Sequence, residues 1–255
     1  MKMKLYEICF SPTGGTQKAA DILSKGIADE IHTVDLTDHS TDFSAISLAG
    51  EDTAVIAVPS YGGRVPAPAI DRLKSIKGNG ALAVLVCVYG NRAYEDTLIE
   101  LLDAANDAGF TVISAVAAIA EHSIARQFAA GRPDEADRKI LAEYAGKIRE
   151  KIISGNTSQP SVPGNRPYKK GGGSGMVPKP TKDCTQCGLC AEKCPVQAID
   201  KKDPKKVDGK TCISCMRCVS VCPQSARKIN AVMMTAVSTM LKKVCSDRKE
   251  CELYL

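Results

Sequence analysis

Apolar residues in the first 150 positions come in two kinds of run. Residues 53–59 (Thr-Ala-Val-Ile-Ala-Val-Pro) and 81–88 (Ala-Leu-Ala-Val-Leu-Val-Cys-Val) are short and unbroken, the pattern of central strands buried on both faces. Elsewhere apolar positions recur at helical spacing. Leu98, Leu101, Leu102 and Ala105 predict a helix from about Glu95 to Ala108, and Ile140, Leu141, Tyr144, Ile148 and Ile152 predict a last long helix. Residues 3–10, 31–36 and 111–119 read as further strands, and Gln17 to Leu23 open a first helix. Strands alternating with helices in this way predict an α/β, doubly wound, five-stranded parallel sheet covered on both faces. In such a sheet a ligand lies outside the carboxyl ends of the strands, at a switch point.

Three unusual loops follow strand ends, so one geometric argument gathers them around one site. The first is Ser11-Pro12-Thr13-Gly14-Gly15-Thr16. A strand, a glycine- and hydroxyl-rich loop and a helix start together make an anion site. The loop has no lysine, so it is not a nucleotide-triphosphate loop, and G-x-G-x-x-G is also missing. A phosphate monoester held by neutral donors fits; an ordinary strand-to-helix turn with a hydroxyl cap would look the same. The second loop runs from Pro59 through Ser60, Tyr61, Gly62 and Gly63 to Pro66, and adjacent glycines there let the backbone approach a flat ligand. The third is Tyr89, Gly90, Asn91, Arg92, Ala93 and Tyr94. His122 follows another strand end and is a candidate proton donor, although such a histidine is more often a hydrogen-bonded loop residue.

Composition narrows the chemistry. Tryptophan is absent and aromatics are 4% of 255 residues, so stacking falls to a few tyrosines. No apolar run reaches the ~18 residues of a membrane helix, and the N-terminus reads as a strand, not a signal peptide. A cytoplasmic location is expected, where twelve cysteines point to metal and not to disulfides. Residues 1–150 carry 15 Lys+Arg against 21 Asp+Glu, and residues 151–255 carry 19 against 8. The basic half raises nucleic acid as a ligand, but Tyr168 and Tyr254 are its only aromatics, and no nucleic-acid partner is expected. The acidic and basic halves are expected to attract each other.

Eight of the cysteines form an internal repeat. Cys184-x2-Cys187-x2-Cys190-x3-Cys194-Pro195 recurs 28 residues on as Cys212-x2-Cys215-x2-Cys218-x3-Cys222-Pro223. This run of ligands is that of iron–sulfur clusters. The competing chemistry, zinc, more often uses separated pairs with histidine, and all three histidines lie in the first half. Cys9 and Cys87 sit in apolar strand runs and read as core, whereas Cys245 and Cys251 lack metal spacing. Residues 154–182 are a Gly/Pro/Lys linker, either mobile or wrapped as ordered coil. In 231–246, Met233, Val237, Met240, Leu241 and Val244 at helical spacing predict a helix that covers the cluster module or docks on the first domain.

Ser11-x-Thr13-Gly14-x-Thr16 resembles the FMN phosphate loop of the flavodoxin family. The resemblance implies FMN, with Ser11, Thr13, Gly14, Gly15 and Thr16 on the phosphate. It further implies Pro59, Ser60, Tyr61, Gly62, Gly63, Tyr89, Gly90, Asn91, Arg92 and Tyr94 around the ring, with Arg92 a candidate to stabilise the reduced flavin. The cysteine runs resemble the bacterial two-cluster ferredoxins, which implies two [4Fe-4S] clusters in a small α+β domain. In that family the fourth cysteine of each run ligates the other cluster. One cluster would take Cys184, Cys187, Cys190 and Cys222, and the other Cys194, Cys212, Cys215 and Cys218. The whole chain resembles the flavodoxin–ferredoxin fusion proteins of anaerobes. The implied domains are 1–153 (FMN), 154–182 (linker), 183–229 (clusters) and 230–255 (helix and tail). The implied function is a redox relay between FMN and the clusters, coupling two-electron to one-electron carriers. The alternative is an FMN-dependent reductase of a small molecule. Redox protein partners are expected, and a homodimer stays open.

Overall fold

The computed structural model describes residues 4–171 and 175–255. Met3, at the start of the first predicted strand, and residues 172–174 of the predicted linker lie outside the described residues. Five strands, β1 (Lys4–Cys9), β2 (Glu30–Asp35), β3 (Thr53–Pro59), β4 (Leu82–Tyr89) and β5 (Thr111–Ile119), pair in parallel in the order β2-β1-β3-β4-β5. The order reverses at β1, which opens a crevice between β1 and β3 at their carboxyl ends.

Side chains alternate across the sheet with period two. Leu5, Cys9, Val55, Ala57, Val84 and Val86 face one layer, with Leu23 of α1 (Gly15–Ile27). Ile8, Phe10, Ile56, Val58, Leu85 and Cys87 face the other, with Leu73 of α2 (Ala67–Ser75) and Leu98 of α3 (Thr97–Asp107). The first layer is completed by Leu141 and Ile148 of α4 (Glu135–Ile153). A Cβ on Gly26 would lie 2.5 Å from that of Ala145, so α1 and α4 touch closely because Gly26 has no side chain. A capping box between Asp134 and Asp137 starts α4. The third helix starts at Thr97 and not at Glu95, because Glu95 takes φ 43° and leaves Asp96 at the cap.

The described residues of the linker between 155 and 171 are coil strapped to the first domain. Asp96 accepts from the backbone N–H of Asn165 at 2.9 Å and of Lys169 at 2.7 Å. Arg166 pairs with Asp103, and Arg64 donates to the Lys169 carbonyl at 2.6 Å. A Cβ on Gly164 would lie 2.3 Å from Ile99 Cγ2, so only glycine lets the strap lie this close.

The cysteine module contains β6 (Lys179–Pro180), the one-turn helices α5 (Leu189–Glu192) and α6 (Arg217–Ser220), and β7 (Arg227–Lys228), with β6 and β7 antiparallel. The repeat is written into the backbone. Left-handed φ values recur 28 residues apart at Gln186 and Ser214 (56° and 54°), at Gly188 and Met216 (80° and 62°), and at Gln197 and Ser225 (52° and 48°).

Helix α7 (Ala231–Cys245) follows and docks on the first domain. Its buried stripe is Met234, Val237, Leu241 and Cys245 against Ala125 and Phe128. Of the predicted stripe, Met233, Met240 and Val244 are exposed. The helix is apolar around more than one arc, so periodicity alone misplaced the docking face. Finally β8 (Glu252–Tyr254) pairs antiparallel with the edge of β5.

Candidate metal centre and cofactor cleft

The eight cysteines of the repeat line two cages. Cys184, Cys187, Cys190 and Cys222 line one, and Cys194, Cys212, Cys215 and Cys218 line the other. Each cage therefore takes three cysteines from one run and one from the other. The crossing sulfurs are held alike: Ala198 N–H donates to Cys194 Sγ and Ala226 N–H to Cys222 Sγ, both at 3.3 Å. Among the described residues no three His, Cys, Asp or Glu converge as a single metal ion requires. Burial pushes the Cys215 and Cys218 thiols up to about 12, so metal binding at the second cage must displace their protons. The first cage faces outward, with Cys187 exposed; in the second, Cys194 and Cys215 are buried.

The three strand-end loops meet in a cleft partly open to solvent. Thr13, Gly15 and Thr16 form one wall. Gly14, at φ 86°, caps α1, and Ser11 Oγ accepts from Gln17 N–H at 2.9 Å. A Cβ on Gly15 would lie 3.1 Å from Ala120, so the loop presses on the sheet end through a bare backbone. Pro59, Ser60 and Tyr61 form the second wall, and Ser60 Oγ bonds Thr97 Oγ1 at 2.7 Å. Gly62 and Gly63 turn away at φ 62° and 85°, with Gly63 packed on Glu95. Hydroxyls and backbone amides at a helix start fit a phosphate monoester, and the bare Gly15 cradle leaves room for it.

The loop 89–94 divides its duties. Tyr89 and Gly90 line the cleft. Asn91 is buried and turned to the tail: its amide donates to the carbonyls of Cys245 and Asp247 at 2.9 and 2.8 Å and accepts from Lys249 N–H at 3.2 Å. Arg92 pairs with Glu95 at 2.9 Å. Tyr94 shares hydrogen bonds with Tyr254 and Glu252, each at 2.8 Å. Asn91, Arg92 and Tyr94 are absent from the cleft walls. His122 Nδ1 accepts from Ile124 and Ala125 N–H at 3.2 and 3.1 Å. Burial, with Arg92 nearby, holds its pKa below the usual value. The histidine is a neutral anchor for its loop, and its Nδ1 is engaged.

Residues 183–227 match the family model described as a 4Fe-4S dicluster domain. A ferredoxin-like protein in the nif region of Sinorhizobium fredii is 47% identical over 47 residues, which cover 16% of this chain and 73% of that protein. The chain belongs to the dicluster ferredoxin family. A protein of Methanocaldococcus jannaschii is 42% identical over 48 residues, 19% of this chain and 18% of its own length, so the chain spans under a fifth of that relative. A flavodoxin from the domain Archaea superposes with a TM-score of 0.44 at 14% identity, over 59% of this chain and 99% of that one. The N-terminal domain is flavodoxin-like by its own strand order. The chain thus fuses a flavodoxin-like domain to a dicluster ferredoxin module, and among the described residues no helix is long and apolar enough to cross a membrane.

The second ferredoxin cage sits at the junction of the two modules. Arg217, between ligand positions Cys215 and Cys218, reaches the carbonyls of Ser11 and Pro12 at 3.4 and 3.5 Å. Arg72 donates to the carbonyls of Leu36 and Pro195, both at 2.5 Å. Burial pushes the Tyr61 hydroxyl well above its usual pKa, and Tyr61 lines the cleft. Arg217 and the buried Arg227 escaped the reading of the sequence. A signal was there: their repeat mates are Leu189 and Ile199, and an arginine where the other copy is apolar marks a position with a separate task.

Proposed function

We propose that the chain is an electron relay whose order is outer cage, inner cage, flavin cleft. When bound, FMN exchanges one or two electrons and each [4Fe-4S] cluster one. The observation that carries the proposal is the junction: the ligand loop of the inner cage rests, through Arg217, on the backbone of Ser11 and Pro12. Thr13, Gly15 and Thr16 would hold the phosphate, while Pro59, Ser60, Tyr61, Tyr89 and Gly90 would bound the ring. The outer cage, with Cys187 exposed, would be the port for an external one-electron carrier. Lys179, Lys182, Lys201, Lys202, Lys205 and Lys228 are exposed on the segments around it, which favours an acidic protein. Anaerobic purification followed by iron, sulfide and flavin analysis tests the proposal. The expected result is about eight iron, eight sulfide and one FMN per chain; zinc in place of iron, or a chain that takes up no flavin, would overturn it.

A further inference from the structure

Arg227 is only 2% exposed, the largest fully buried side chain among the described residues. Its guanidinium donates to the carbonyl of Pro178 at 3.2 Å and to the carbonyl of Pro204. Pro178 lines the inner cage and Pro204 the outer one. Arg227 itself lines the outer cage. Among the described residues it has no carboxylate partner, and its buried Nε has no hydrogen-bond acceptor. A lone buried cation is strongly disfavoured unless an anion compensates it.

The compensation must come from the cages. A cluster core of +2 held by four thiolates carries a net charge of about −2. Two such groups would flank Arg227. The repeat isolates what the arginine adds, since its mate Ile199, also buried, lines the inner cage as an apolar residue. The fold accommodates an aliphatic side chain in one copy and places a cation in the other.

We propose that Arg227 is a shared electrostatic lever that raises the reduction potential of the cluster pair, most strongly for the outer cluster, whose cage it lines. Reduction adds one electron to a cluster without breaking a bond or moving a proton, so each cluster becomes more negative by one charge. A fixed cation in a water-poor site favours that more negative state. The asymmetry also sets the outer and inner clusters apart in potential although their ligand runs are alike. The proposal rests on the relay only in that the cages hold clusters.

The test is a dithionite titration of the full chain, followed by low-temperature EPR, for wild type, Arg227→Gln and Arg227→Lys. Iron and sulfide are assayed in each sample. Arg227→Gln is expected to lower the reduction equilibrium constant of at least one cluster tenfold or more, about 59 mV for one electron. Arg227→Lys, which keeps the charge, is expected to shift less. A Gln variant that carries full iron and sulfide but titrates within twofold of wild type overturns the lever and leaves the relay standing. If Gln loses its clusters while Lys keeps them, the charge is needed for loading and the proposal is supported. If both lose them, the side chain serves by shape, and the proposal falls. Wild type without iron and sulfide would instead overturn the relay itself.

Discussion

Gly90 has room for a hydrogen and nothing larger: a Cβ there would lie 2.7 Å from the His122 ring. Gly90→Ala must push that ring or the cleft wall, with an expected loss of ~1–3 kcal/mol in thermal unfolding and weaker FMN binding by fluorescence titration. His122 itself carries a pH dependence. Its folded pKa is lowered by burial, so the unfolded chain takes up the proton first as pH falls. The contribution is whole above the unfolded value of ~6.5 and is lost as pH drops toward the folded one. Urea titrations between pH 7.5 and 5 should show stability falling, and His122→Asn, which cannot titrate, should flatten that fall. At this scale the sequence was half legible. The glycine- and hydroxyl-rich loop after β1 and the eight cysteines stood out because glycine, hydroxyl and thiol chemistry is local. Arg217, Arg227 and the tail-holding role of Asn91 did not, because each bonds a segment far away in the chain.

Helix α7 shows what periodicity leaves open. Leu241 is buried against the loop that carries Ala125 and Phe128, whereas Met240, its neighbour, is 65% exposed. Leu241→Ala is expected to cost about 2–5 kcal/mol, and Met240→Ala to stay within about 0.5 kcal/mol; chemical denaturation separates them. The central strands were readable because a parallel sheet buried on both faces leaves unbroken apolar runs. Strand β8 was not, since three residues ending in Glu252-Leu253-Tyr254 carry too little pattern to predict pairing with β5. The strap was undecided for the same kind of reason: Gly/Pro/Lys composition is compatible with mobility, and Asp96, Asp103 and Arg64, distant in sequence, decide that it is held.

Across the whole molecule, charge is sorted by module, and the strap and tail pair Arg166 with Asp103 and Arg248 with Asp134. Where the cysteine module itself meets the first domain, Arg72 and Arg217 bind backbone carbonyls, and among the described residues the acid–base approach there, Arg217 to Asp35, is 4.0 Å. Transfer between the modules, followed by flash photolysis, is therefore expected to vary little with salt. Reduction by an acidic carrier protein should instead slow steeply with salt. Lys182→Glu with Lys228→Glu should slow it roughly tenfold at low ionic strength, read by stopped-flow absorbance. Removing iron with a chelator withdraws the anions around Arg227. Hydrogen exchange should then show residues 178–229 losing protection while the strands of the first domain keep theirs.

The strapped linker has a consequence for how electrons would cross. A free Gly/Pro tether would let the two redox modules find each other by diffusion, at an effective concentration set by its length. Here the chain between them is pinned at Asp96, Asp103 and Arg64, and the encounter is already complete. On the proposed relay, no search would precede transfer. Thickening the solvent with glycerol would leave the internal rate where it was, as for a soldered joint and unlike a swinging arm.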